Sequence, residues 1–510
     1  MVFLKFFLLT LLVLGVTPCG ASTDYDITFY HVGQGNCTIV KSPTRRILFV
    51  DAGSSSTIGV ADVNVGDEEG KYDQLAGNIV KFVKKDIAHS KWLYFVVSHP
   101  DQDHLNLVKP IISKSGFLDT ARKEPLAGYS LGVLLGGDSH LYSKGEGNKL
   151  ISFLTENKIR HWFGRDAYES EKLPGVFYVP KVAPPPLDEW DGRVEFLSVG
   201  MDSVYRKTPS AEIVNNASSI VMKLYCGSRS LMLTGDKTKK EMDLLISRFK
   251  PDNTAKLRST ILLATHHGSS DDFVQEWVDL TKPKHVIFSA GRSSFSHPRR
   301  DAFLGYATSR RLKEVEWHFV QFYGDIIDTT DDRLRSVLAE TPYSEEKARG
   351  YVHAVTNYSV FVTGSQGNVR FITREGKLYY DVNPRWKQRH TAVDEFLTKP
   401  ALPDATSIRF EGVYLDGISE LNIPLLLQRL KTMNSLTELS LKGCLKDVHV
   451  DGLCELITSV PTLRSLDIKG VPLRASLVKQ VKESWNNRGL LLEEAVASSD
   501  SVTSDDSGEL

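Results

Sequence analysis

The chain has 510 residues, more than one hydrophobic core accommodates, so two or more domains are expected. Apolar residues make up 41% and charged residues 25%, the balance of a soluble globular protein, and a formal net charge of −1 excludes a global basic field. Six carboxylates and no Lys or Arg follow Arg488, so the rest of the chain is mildly basic, which permits an anionic substrate without demanding one.

Residues 1–22 place Lys5 before an apolar core from Phe6 to Val16, with Gly20, Ala21 and Ser22 at its exit. A core this short predicts a cleaved secretory signal peptide, with an uncleaved membrane anchor as the alternative. No later stretch approaches a bilayer-spanning length, so the mature protein is expected to lack a transmembrane segment and to be secreted or held in the secretory lumen. Cys37, Cys226, Cys444 and Cys454 then remain, none in a CxxC pair. Buried free thiols are expected, and a Cys444–Cys454 bridge stays open.

From Asp26 the pattern DITFYHV, GQGNCTIV and RRILFVDAG reads as three strands with a glycine turn between the first two. Leu75, Ile79, Phe82, Val83 and Ile87 recur at helical spacing. Trp92 to Val97 is a short apolar run that predicts a buried strand, and it breaks into His99, Pro100, Asp101, Asp103 and His104. Four metal-competent side chains within six residues of a strand end exceed what packing requires; imidazole and carboxylate donors together suit Zn²⁺, Mn²⁺ or Fe. A strand, a helix and a buried strand ending in such residues predict a layered α/β domain.

Between Ile111 and Gly200 the pattern is weak: a strand LGVLLGG, a helix over Gly147 to Asn157, and an extended APPPLDEW segment among loops. SIVMKLYCGSRSLMLTGD predicts two strands, the second ending at Asp236. ILLATHHGSS predicts a buried strand ending at His266 and His267; HVIFSAG follows as another, then a loop holding His297. Metal-competent residues thus recur at strand ends, where α/β sheets assemble their sites. A closing hairpin is expected between Val352 and Val382. Leu436, Leu439 and Leu441 then match Leu463, Leu466 and Ile468 at a period of 27, with Ile408 and Phe410 as a weaker earlier copy, a strand–helix period of leucine-rich-repeat type. The expected divisions are the leader 1–22, the layered α/β domain 23–384, a linker 385–403, a repeat segment 404–492 and an acidic, Ser-rich disordered tail 493–510.

In order, HVGQGNCTIV, FVDAGS, SHPDQDH, NASSIVMKLYCGSRSLMLTGD, THHGS and SHP resemble the motifs of the metallo-β-lactamase fold family, and of the branch holding the soluble domain of the competence protein ComEC. The resemblance runs from about Asp26 to Pro298. It implies an αββα sandwich with two divalent metal ions, Zn²⁺ or Mn²⁺: His99 and Asp101 on one, Asp103, His104 and His266 on the other, and Asp236 bridging. Asp103, His267 and His297 are implied at the reacting centre, and the third metal-binding motif falls at Asn216. Two cations sharing a water suit hydrolysis, and the branch implies a phosphodiester such as nucleic acid or a nucleotide. The alternative is a scaffold without catalysis whose leucine-rich segment binds a protein partner.

Two features depart from the family pattern. Leu105 and Asn106 stand where relatives carry two glycines, and Asn216 opens a glycosylation sequon, as do Asn36 and Asn357.

Overall fold

A computed structural model describes residues 24–488 apart from 59, 61–62, 64–66, 165–169, 173–177, 181–186, 188–189, 201–210, 292, 325–349, 375, 383–405, 412–425, 443–448 and 469–472. The leader, the acidic tail, the linker up to residue 403 and Cys444 therefore lie outside the described residues.

Six strands come first: β1 (Asp26–Phe29), β2 (Cys37–Lys41), β3 (Ile47–Ala52), β4 (Trp92–Val97), β5 (Ser130–Leu135) and β6 (Arg160–Phe163). A second group follows with β7 (Val194–Ser198), β8 (Val221–Cys226), β9 (Arg229–Leu233), β10 (Ile261–Leu263), β11 (His285–Phe288), β12 (Glu314–Gly324), β13 (Gly350–Tyr358) and β14 (Val360–Val362). The hairpin β15 (Val369–Arg374) and β16 (Lys377–Val382) returns to the first group, and β17 (Ser407–Glu411), β18 (Glu438–Lys442) and β19 (Ser465–Asp467) stand in the C-terminal segment.

An eight-stranded sheet takes the order β16-β15-β1-β2-β3-β4-β5-β6 and a six-stranded sheet the order β14-β11-β10-β9-β8-β7. Period-two alternation in β4 explains how they stack. Trp92, Tyr94 and Val96 join Phe29, Val50, Met222, Leu233 and Ile287 in the core between the sheets. Leu93, Phe95 and Val97 face outward against Leu75, Ile79 and Val83 of the helix Glu68–His89. The six-stranded sheet does the same: Met232, Leu262 and Val286 pack outward on Met242, Leu245, Trp277 and Phe303 from its own helices. The result is an αββα sandwich. With both faces covered, β4 is buried at all six residues, which is why it reads as an unbroken apolar run.

The stretch from Ile111 to Gly200 holds more regular structure than its pattern suggests. The helix runs Gly145–Glu156, and β6 and β7 are sheet edges whose part-solvated faces leave little alternation to read. β12 and β13 pair as a separate antiparallel ribbon.

The C-terminal segment has its own apolar cluster, including Leu426, Leu439, Leu453, Leu466 and Trp485. β17, β18 and β19 are parallel, and Ile408, Leu439 and Leu466 sit side by side in one row. The first step, from 406 to 437, is 31 residues rather than 27. Cys37, Cys226 and Cys454 are free thiols.

Candidate metal centre

The carboxyl ends of β3 and β4 in one sheet meet those of β9, β10 and β11 in the other. The meeting begins at Asp51, whose φ of 56° turns its carboxylate back under β4. There Oδ1 accepts from the Ser98 amide at 2.6 Å, and Oδ2 accepts from the Ser98 hydroxyl at 3.0 Å and from His104 Nδ1 at 2.9 Å. Gly53 makes the neighbouring contact: a Cβ there would come within 2.3 Å of the Asp103–His104 peptide. Asn36 N donates to Asp103 O at 2.9 Å from the other side. The metal-competent loop is thus clamped between two early turns.

Leu105 and Asn106 explain how the loop dispenses with paired glycines. Leu105 is buried in the outer core of the first sheet. Asn106 accepts from Ser54 N at 2.9 Å and donates to Ser54 O at 2.8 Å, which stitches the loop to the turn after β3.

On the second sheet, Gly235 takes a positive φ of 52° and lies so close to Ser98 and Ser219 that a Cβ would collide with both. This brings Asp236 against the first sheet, its amide donating to Ser219 Oγ at 3.1 Å. Lys237, fully buried, donates to Ser198 Oγ, Ala217 O and Ser219 O at 3.0, 2.6 and 3.2 Å, fixing the segment that delivers Ser219.

The histidine rings show what the cluster can hold. A carboxylate or carbonyl oxygen can only accept, so His104 Nδ1 donates to Asp51, His267 Nδ1 donates to Ser289 O at 2.7 Å, and His266 Nδ1 donates to Asp272. In their neutral form these rings turn Nε2 lone pairs inward. His104 Nε2 lies 3.3 Å from His267 Nε2 and 3.2 Å from Asp236 Oδ2. His267 Nε2 lies 3.4 Å from both Asp103 Oδ2 and Asp236 Oδ2. Two further buried atoms, His99 Nε2 and Asp236 Oδ1, have no hydrogen-bond partner among the described residues. Acceptors that face one another in a dry site need a proton or a cation between them.

Without a cation, protons take that place. Burial alone would lower the pKa of His104, but Asp236 and Asp51 hold it well above the usual histidine value. Burial likewise opposes the charge on His267, and Asp236 and Asp103 bring it up to about 10. Burial would raise both carboxylates; His267 and His104 instead bring Asp103 down to about 2, and His104, His267 and His266 push Asp236 well below the carboxylate range. A divalent cation meets the same demand, and the second-sphere partners Asp51 and Ser289 O are of the kind that orient metal-bound imidazoles.

Two sets of donors lie close enough to hold an ion: His99, His104 and Asp236, and Asp103, His104 and His267. The resemblance implies His266 on the metal and His267 at the reacting centre; here the ring lying nearest the other donors is that of His267. His267, fully buried, joins the donors, whereas His266 is drawn to Asp272 and keeps Nε2 at 3.6 Å from Asp236 Oδ2, with 22% of its side chain exposed. His297 is buried beside them, its ring 6.4 Å from that of His267 and near-parallel to it; burial and then the two neighbouring histidines lower its pKa to about 3. Asp101 flanks His99 Nε2 at 3.5 Å. The residue that reaches it from the helix Ala211–Ala217 is Asn215, donating to Asp101 Oδ1 at 2.7 Å, rather than Asn216. Asn216 and Asn36 are 5% and 3% exposed, so neither sequon is open to a glycan in the folded chain.

Sequence reasoning missed Asp51, Ser98, Ser219, Asn215 and Asp272. Asp51 left a signal, a carboxylate closing the apolar strand ILFVD, and so did Asp272, six residues after His266. The others act through polar atoms that any solvated loop also carries.

No family model matches the chain. It is similar to the competence protein ComA of Neisseria gonorrhoeae, 27% identical over 112 residues, which span 22% of this chain and 14% of that relative. Among solved structures, a mutant of the β-hydroxylase CmlA is similar over 52% of this chain and 46% of its own, at 12% identity and a TM-score of 0.28. Among the described residues no helix is long and apolar enough to cross a membrane.

Proposed function

We propose that the chain is a metal-dependent hydrolase of metallo-β-lactamase type acting on a phosphodiester, a nucleic acid or nucleotide. The observation that carries the reading is the inward-facing set of acceptors, His99, His104, His267 and Asp236, buried on both sheets, with the part-buried Asp103 beside them and hydrogen-bonded partners behind the rings. A pair of divalent ions in such a set lowers the pKa of a shared water and polarises a phosphoryl oxygen. His99, His104 and Asp236 would hold one ion, and Asp103 and His267 lie within reach of the other, with Asp236 near both; His104, with Nδ1 committed to Asp51, has one lone pair to give. Asp51 keeps His104 in the tautomer that offers Nε2, and Ser289 O does the same for His267.

His266 serves substrate rather than metal in this reading. With Nδ1 committed to Asp272, its part-exposed Nε2 can hold a proton at the mouth of the site for the departing oxygen. The phosphodiester class rests on the motif resemblance to the ComEC branch and on the likeness to a competence protein. The parallel C-terminal array offers a surface for a protein partner that would bring substrate or regulation to the site.

The test is elemental analysis of the purified chain followed by assay on a panel of phosphodiester, lactam and thioester substrates. Bound divalent metal with metal-stimulated cleavage of phosphodiesters supports the reading. Metal-free protein, or cleavage confined to lactams or thioesters, rejects it.

A further inference from the structure

At the end of the six-stranded sheet away from the metal centre, neighbouring strands are entered through basic residues. Arg229 opens β9, Arg258 precedes β10, Lys284 precedes β11, and Lys313 lies beside the entry to β14. Backbone hydrogen bonds fix these entries in a row: Thr260 N donates to Ser230 O, Lys284 N to Thr260 O, Lys313 N to Lys284 O and Ser359 N to Lys313 O, all within 2.8–3.0 Å. Adjacent strands are about 4.8 Å apart, so the row presents one cation per strand.

The row is not neutralised internally. Arg258, Arg311 and Lys313 are exposed, Arg229 and Lys284 half-buried. Among the described residues none of the five has a carboxylate ion-pair partner. Burial, then Arg229, Lys313 and Arg311, lower the pKa of Lys284, so the cations crowd one another. Lys41, by contrast, pairs with both Asp26 and Asp86 at 2.8 and 3.0 Å. Like charges held side by side by the backbone cost stability unless an anion covers them.

We infer that this edge is a docking surface for the phosphate backbone of a single nucleic-acid strand. A row of point charges on flexible arms, one per strand, suits a linear polyanion better than a compact one, and the backbone of a strand supplies successive charges without regard to base sequence. The edge lies at the opposite end of the strands from Asp236 and His267, so it goes beyond the hydrolase reading and its occupancy does not depend on turnover.

The experiment measures fluorescence anisotropy of a labelled single-stranded oligonucleotide with the full chain in excess chelator. Four phosphate contacts predict a slope of log affinity against log salt of roughly −3. The variant carrying Arg258→Glu, Lys284→Glu and Lys313→Glu weakens binding more than about tenfold at low salt and leaves cleavage of bis(p-nitrophenyl) phosphate unchanged. If that variant fails to fold by circular dichroism, the exposed pair Arg258→Ala and Lys313→Ala is read instead, with a loss of about threefold and a shallower salt slope. Undiminished binding in the variants overturns the inference, as does a wild-type chain that binds phosphatidylserine vesicles but not the oligonucleotide. A chain that binds the oligonucleotide through these residues yet cleaves no phosphodiester keeps this inference and loses the preceding reading.

Discussion

His104 and His267 come from opposite sheets, yet their Nε2 atoms stand 3.3 Å apart while each Nδ1 is committed to an acceptor behind it. This geometry stores a requirement for positive charge between the sheets, and it makes the metal content of single variants informative.

His267→Ala is expected to lose bound metal, whereas His266→Ala retains it and loses activity. Elemental analysis of both proteins separates a donor from a residue oriented by Asp272. Retention of metal by His267→Ala would refute the assignment.

Asp51→Asn removes the carboxylate that orients His104, and metal affinity should fall about 10–100-fold. Titration against a chromophoric chelator measures it. Unchanged affinity means the Asp51–His104 contact does not tune the site.

The clamp on the loop gives a stability prediction. Gly53→Ala places a methyl carbon against the Asp103–His104 peptide and should cost about 3 kcal/mol or more, because both neighbours are backbone. Asn106→Gly loses two hydrogen bonds to Ser54 and should cost about 1–3 kcal/mol. Urea unfolding of the metal-free proteins reads both, and a destabilisation larger for Asn106→Gly than for Gly53→Ala would show that the stitch to Ser54, rather than the close approach at Gly53, holds the loop.

Far from the centre, burial and then Lys284, Lys313 and Arg229 bring the pKa of His285 down to about 4. The unfolded chain, with a histidine near 6.5, binds the proton first, so His285 contributes nothing above that pH and costs stability as pH falls from about 6.5 towards 4, by about 3 kcal/mol at the bottom of the window. His285→Gln should flatten this part of the stability profile relative to wild type. Parallel profiles for the two proteins across pH 4–6.5 would show that His285 does not carry the effect.

The legible parts of the sequence were those in which one physical demand dominates. β4 had to be apolar on both faces, and the ends of β4, β9 and β10 carry metal-competent residues, so His99, Asp101, Asp103, His104, Asp236 and His266 stood out as donors, with His267 beside them. What stayed hidden depended on direction. Nothing in the dipeptide His266-His267 says which ring turns inward; that is set by Asp272 and Ser289, one close in sequence and one on the next strand. Asn215 and Asn216 present the same ambiguity, because a short helix decides which amide meets Asp101. Edge strands such as β6 and β7 escaped because water on one side relaxes the pattern that burial imposes.

The C-terminal strands carry a consequence for how this segment can change. Neighbouring strands align Ile408 with Leu439 and Leu439 with Leu466 across steps of 31 and 27 residues, which differ by about one helical turn. A deletion of residues 437–463 would rejoin strand to strand with every apolar row intact, while the loss of a single residue within a strand would turn it over and bring its leucines out into water. Whole units, and single helical turns between strands, can therefore be gained or lost in this segment while its apolar rows stay aligned.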